Sequence, residues 1–153
     1  MICPSLIYGA GRGVNAGSIQ IPWLIALAKE HGVPRHIGRG ENRWSNVHVD
    51  DLVDLYLLAL ERAPAGAFYY VENGENSMRE ACRAIGRMLG LGERTEPMTR
   101  EQAAAAWGEA AADYTMGSNS RVRAVRARRE LGWTPHRPSL LEDIEHGSYQ
   151  AAS

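Results

Sequence analysis

Arg43, Asn46, His48 and Asp50 stand close together in Arg43-Trp44-Ser45-Asn46-Val47-His48-Val49-Asp50-Asp51. A guanidinium can grip a phosphate or carboxylate through two parallel charge-assisted bonds, so Arg43 is the leading candidate for contact with an anionic ligand. Residues two positions apart share a strand face, so Asn46 can point into the same cleft as His48. His48 and Asp50 alternate in the same way and invite a catalytic reading, but no serine or cysteine is tied to them. They are read instead as a histidine that satisfies buried backbone groups and an aspartate, Asp50 or Asp51, that caps the next helix.

Other reactive residue types form no recognisable centre. The five histidines show no ligand spacing such as H-E-x-x-H, so no metal is expected. Cys3 and Cys82 fit neither a disulfide framework nor a C-x-x-C pattern. Gly9-Ala10-Gly11-Arg12-Gly13 lacks the G-x-G-x-x-G spacing of a dinucleotide fingerprint. Arg121, Arg123, Arg126, Arg128 and Arg129 would spread around a helix rather than line one stripe, which favours a solvated, ion-paired face over a nucleic-acid surface. A net charge of −1 supplies no long-range field to gather nucleic acid or an anionic membrane.

The elements that position these groups follow from periodicity and punctuation. Ile2 to Tyr8 is a short apolar run that reads as one buried strand, and Ile21, Leu24, Ile25 and Ala28 recur at helical spacing until Gly32 and Pro34. Arg35 to Gly38 and Trp44 to Val49 are extended, and the helix after Asp50 has so many leucines that burial on most sides is expected. Phe68 to Val71 reads as a second inner strand. Ser77-Met78-Arg79-Glu80, Thr99-Arg100-Glu101-Gln102 and Ser139-Leu140-Leu141-Glu142 have capping-box spacing and predict three helix starts. With 44% hydrophobic and 23% charged residues among 153, the chain is expected to form one domain over residues 1–153, of α/β class. No apolar stretch approaches the roughly 20 residues that span a bilayer, and a cytoplasmic location without membrane contact is expected.

Four segments in order resemble the second half of an extended short-chain dehydrogenase/reductase of the NAD-dependent epimerase/dehydratase family. They are Pro4-Ser5-Leu6-Ile7-Tyr8-Gly9-Ala10-Gly11, the run from Arg43 to Leu52, Gly66-Ala67-Phe68-Tyr69-Tyr70-Val71-Glu72-Asn73-Gly74, and Arg129-Glu130-Leu131-Gly132-Trp133-Thr134-Pro135. The resemblance implies a partial Rossmann-type sheet with two inner parallel strands, a small mixed substrate-binding subdomain and C-terminal helices.

It also implies roles. Pro4 and Ser5 would lie beside the nicotinamide of NAD(P) if a partner half completed the fold. Tyr8 and Asn15 would lie near the substrate, and Arg43 would match an arginine that holds the diphosphate in relatives acting on nucleotide sugars, although it stands one position early relative to His48. A strand-end proline and a buried tyrosine that merely pack remain the competing reading. The family's proton transfer uses a tyrosine and a lysine four positions apart, whereas the one lysine here, Lys29, follows Ile25 at that spacing. The chain is therefore expected to bind no cofactor alone and to be non-catalytic by itself. A small polar or nucleotide-sugar ligand fits this expectation. The alternative is a non-enzymatic, self-associating module or truncated gene product, and a homo-oligomer, most simply a dimer, is expected.

Overall fold

The structure is a computed structural model that describes residues 1–14 and 17–150. In chain order its elements are β1 (Ile2–Pro4), β2 (Leu6–Tyr8), α1 (Gln20–His31), β3 (Arg35–Ile37), β4 (Arg43–His48), α2 (Val49–Arg62), β5 (Tyr69–Val71), β6 (Gly74–Ser77), α3 (Met78–Met88), β7 (Glu96–Met98), α4 (Arg100–Trp107), a π-helical segment Ala111–Met116, α5 (Val125–Leu131) and α6 (Leu140–His146). Among the described residues no helix is long and apolar enough to cross a membrane.

Three small sheets replace one continuous sheet. β1 runs parallel to β5, with Ile2 opposite Tyr69 and Pro4 opposite Val71. β2 runs parallel to β4, which is antiparallel to β6, and β3 runs parallel to β7. The run expected to be one strand from Ile2 to Tyr8 thus divides at Ser5 and serves two ladders. Pro4 has no N–H to donate. The next donor, Ser5 N–H, reaches Val71 O at 3.2 Å, and the chain then turns to pair with β4.

All three predicted capping boxes form, at Ser77 with Glu80, Thr99 with Gln102, and Ser139 with Glu142. The cap of α2 is a correction. Neither Asp50 nor Asp51 caps it; the His48 ring accepts the Asp50 N–H through Nδ1 at 3.1 Å. Asp50 faces Arg12 and Arg137, and Asp51 turns inward. The expected burial of α2 on most sides also fails. Leu52 and Leu55 are buried, whereas Val53, Tyr56, Leu57 and Leu60 form an exposed face, Leu60 at 83%. The arginine-rich stretch departs from expectation as well, because Ser120 bridges to Trp44 and helix begins only at Val125.

One core joins β2, α1, α3 and α6 through Leu6, Tyr8, Leu24, Ile25, Ile85 and Ile144. A second joins β4, α2, β5 and α5 through Val47, Leu55, Val71, Leu131 and Trp133. Asp51, fully buried, fixes the second. Its carboxylate accepts the backbone N–H of His136 at 3.0 Å and of Arg137 at 3.2 Å, and its carbonyl accepts the Trp133 indole N–H at 2.8 Å. The Leu131-Gly132-Trp133-Thr134-Pro135 stop is thereby docked on α2.

Removing that carboxylate takes the acceptor from two part-buried amides. Asp51→Ala should lower the unfolding free energy by about 3 kcal/mol or more, since a hydrogen bond to a charged group contributes roughly 1.5–3 kcal/mol. Urea denaturation of the variant checks this; a loss below about 1 kcal/mol, the size of an ordinary neutral bond, would contradict it.

Candidate ligand site

The chain opens a cavity of about 400 Å³ where β2 leaves its ladder, lined by Ser5, Leu6, Gly9, Ser18, Trp44 and Val49 among others. Each wall has a local cause. Ser5 sits at the switch between two ladders, and its buried hydroxyl has no hydrogen-bond partner among the described residues. Gly9 has φ 96°, and a Cβ there would stand 2.7 Å from His48 Nε2, so only glycine lets the loop close over the imidazole. Trp44 is held by its indole N–H to Ser118 O at 2.9 Å. The far end is tied by Tyr149, whose hydroxyl accepts Gly9 N–H at 3.3 Å and lies 2.7 Å from Ser18 Oγ.

Of the described residues singled out as site candidates from sequence, Ser5 is the one that lines this cavity. Pro4 is half-buried in β1, next to it. Tyr8 lies beneath, fully buried, donating its hydroxyl to Pro138 O at 2.7 Å and meeting the His48 ring edge-on at 5.4 Å. Asn15 lies outside the described residues. Asn46 shares a strand face with His48, but it is buried, and its amide donates to Asn76 Oδ1 at 2.9 Å.

Arg43 belongs to a different cluster. Its Nε donates to Glu75 Oε1 at 3.0 Å, and a second nitrogen reaches Glu80 at 3.4 Å. The other Glu75 oxygen receives Arg121 Nε at 2.8 Å and Arg123 at 3.1 Å. Three guanidinium groups, that of Arg121 foremost, hold the Glu75 carboxyl down to about 2. A carboxylate therefore occupies the centre where an anionic ligand of Arg43 would sit.

Ser18, Trp44, Glu75 and Tyr149 are parts of the site region that sequence reasoning did not single out. Trp44 stood inside a motif already noticed. Ser18 and Tyr149 meet across nearly the whole chain, and no local pattern announces a pair of that kind.

Burial pushes the Tyr8 hydroxyl well above the usual phenol range and raises that of Tyr149, the wrong direction for a proton acceptor at neutral pH. Burial likewise pushes the Cys82 thiol up to about 12, which removes it as a nucleophile. Asp51, Asp54 and His136 approach one another within 4.8 Å, but the Asp51 carboxylate is engaged by two backbone amides.

Because the Glu75 carboxyl is depressed in the folded state, its contribution to stability is complete above about 4.5 and is lost as pH falls toward about 2. Glu75→Gln should therefore be less stable than the parent at neutral pH, with the gap closing as pH falls through that window. Thermal unfolding across the window checks this. A gap constant with pH would show that Glu75 acts through packing alone.

Residues 1–71 match the NAD dependent epimerase/dehydratase family. Oxidase ucsJ of Acremonium sp is 29% identical over 165 residues, covering 95% of this chain and 47% of that protein. Among solved structures, UDP-glucuronic acid 4-epimerase from Bacillus cereus, in complex with UDP-glucuronic acid and NAD, matches with a TM-score of 0.69 at 14% identity, over 99% of this chain and 44% of that one. The dTDP-glucose 4,6-dehydratase from Bacillus anthracis, in complex with NAD, matches with a TM-score of 0.67 at 19% identity, over 94% of this chain and 42% of that one. The chain spans somewhat under half the length of these relatives. Over residues 1–71 it is similar to the NAD dependent epimerase/dehydratase family, and its α/β fold matches a part of the Rossmann-like fold of those neighbours.

Proposed function

We propose that these 153 residues form the substrate-side portion of an NAD(P)-dependent oxidoreductase, epimerase or dehydratase, which holds a small polar ligand and does not transfer hydride by itself. The observation that carries the reading is the cavity at the end of β2, with the unpartnered Ser5 hydroxyl in its wall. A buried hydroxyl without a partner costs free energy that a ligand's polar group can restore. NAD(P) would supply hydride transfer when bound. Ser5 fits the task of meeting a carboxamide or ligand hydroxyl, and Pro4 would pack beside it.

Several features support a binding role without catalysis. Tyr8 donates its proton to a backbone carbonyl, and Tyr149 is tied to Gly9 and Ser18. His48 uses Nδ1 as an acceptor for its helix cap, which places the ring proton on Nε2 in the neutral form. Oxidase ucsJ, the epimerase and the dehydratase carry different activities in their names, so the reaction of any complete protein is left at the level of the class. The commitment of Arg43 to Glu75 favours an uncharged polar ligand over a nucleotide sugar at this position.

A second reading, self-association, rests on a separate observation. Within the described residues β1 and β5 pair only with each other. Ile7 and Tyr70 are exposed at 37% and 47%, as is the apolar face of α2 formed by Val53, Tyr56, Leu57 and Leu60. Parallel strands are ordinarily covered on both faces, and an open edge is a template for another chain. Leu6, beside Ile7 in β2, alternates to the opposite face and is buried in the core with α1 and α3. A two-fold dimer that joins these surfaces would bury Ile7 and Tyr70.

Two measurements test these readings. Calorimetric titration of NAD⁺ or NADP⁺ into the 153-residue chain should give no saturable heat, and no secondary alcohol or sugar should yield nicotinamide reduction; tight binding or sustained turnover by repurified protein would overturn the first. Light scattering coupled to size exclusion at micromolar concentration should give a dimer mass that Ile7→Lys converts to monomer. A monomer in the parent chain would remove the second reading.

A further inference from the structure

Nearly every arginine of this chain is matched to a carboxylate. Arg43, Arg121 and Arg123 converge on Glu75, Arg87 meets Glu93, Arg100 meets Asp113, and Arg126 meets Glu130. Among the described residues, Arg79 and Arg83 reach no carboxylate. They lie one turn apart on α3, at the i and i+4 spacing that puts two side chains on one helix face. Like charges so placed repel one another unless an anion lies between them.

These two arginines line an open groove of about 490 Å³ together with His36, Arg39, Arg94 and Thr95. Arg39 and Arg94 sit at its rim, engaged by Glu41 at 2.8 Å and Glu96 at 2.7 Å. Glu93, the carboxylate in the lining, is held by Arg87. The groove thus carries two uncompensated positive charges. Arg35, also without an ion pair, alternates to the other face of β3 from His36.

The floor is rigid. His36 is 4% exposed, with Nδ1 3.1 Å from Gly38 O and Nε2 3.1 Å from Thr95 Oγ1. A carbonyl can only accept, so Nδ1 carries a proton, and in the neutral ring Nε2 accepts from the threonine hydroxyl. Burial first, and then the charges of Arg79 and Arg83, lower the basicity of this ring, and all three residues line the groove. Gly40, at φ 64°, packs so tightly that a Cβ would stand 2.6 Å from the ring. A groove held in this way needs little ordering when a ligand enters.

We propose that this groove binds the phosphoryl group of a small molecule between Arg79 and Arg83. Two planar donor forks one helical turn apart can bracket the oxygens of a tetrahedral dianion, and the volume leaves room for an organic body beyond it. The groove shares no lining residue with the cavity at Ser5, so this inference stands apart from the function proposed above.

The test uses the 153-residue chain in low-salt buffer, because salt screens exposed charge. Glucose 6-phosphate, inorganic phosphate and glucose are titrated by calorimetry, with amide shifts followed by NMR. The two phosphates should saturate and glucose should not, and the Arg79→Gln/Arg83→Gln double variant should weaken binding by at least about tenfold, the loss expected for even one charged hydrogen bond. Amide shifts should map to Gly38, Arg39 and Thr95 on the parent protein, a readout that stands even if the double variant folds poorly. Tighter binding of the sugar phosphate would identify a phosphorylated metabolite as the source, and equal affinity would identify free phosphate; either supports the site. Unchanged affinity in a folded double variant, shifts that map elsewhere, or glucose binding as well as its phosphate would overturn it.

Discussion

The packing around β4 and α2 depends on a charge placed out of reach of water. The Asp51 carboxylate points away from the helix start that its position suggests and takes the amides of His136 and Arg137, while its carbonyl takes the Trp133 indole. A buried carboxylate is costly unless its lone pairs are filled. The loop after α5 therefore has one position in which the cost is met, and that position sets Trp133 and Leu131 against Val47, Leu55 and Val71. With Asp51 turned inward, the first turn of α2 still needs an acceptor. His48 supplies it, and its ring in turn decides where Gly9 can lie. The cavity wall is in this sense a distant result of how one aspartate is satisfied.

A second set of charges holds the polar seam between β4, β6 and the segment before α5. Glu75 gathers three arginines from two remote parts of the chain. The gain from such a knot is mostly in specificity of arrangement, since long side chains lose freedom on being held. Its chemical effect is sharper. It converts a strand that looks ready to receive an anion into one that has already received one. The unpaired positive charge has moved to the far side of α3.

The elements with strong local grammar were legible. Ser77, Thr99 and Ser139 each announce a helix through a side chain that acts within three residues, and all three do so. That the first strand and the Tyr69–Val71 strand run parallel was implied by the family resemblance; that they pair directly with each other was not. What escaped the sequence is long-range. The division of Ile2 to Tyr8 depends on which ladders lie nearby, and an apolar run carries no information about that. The exposed side of α2 holds Val53, Leu57 and Leu60, which are as apolar as the buried Leu52 and Leu55; composition cannot say which side has a neighbour. Arg43 had the right chemistry for a ligand contact, but its fate was set by Glu75, a residue in a turn-like stretch with no periodic signal. Within the cavity, Ser5 was foreseen through the family pattern, while Tyr149 and Ser18 depend on a contact that spans the chain.

The three parallel ladders join strands far apart in sequence: Ile2 with Tyr69, Leu6 with Asn46, and Arg35 with Glu96. None can close as a local hairpin, and each requires the intervening chain to be looped before any ladder bond forms. During synthesis the Ile2–Pro4 strand emerges before Tyr69–Val71, the strand it pairs with. Folding of this topology is expected to be slow relative to a helical chain of equal length, with a period in which Ile2, Leu6 and Ile7 are open to wrong partners. The same topology that carries the N-terminal run into the two cores makes that run the part of the chain most dependent on protection during synthesis.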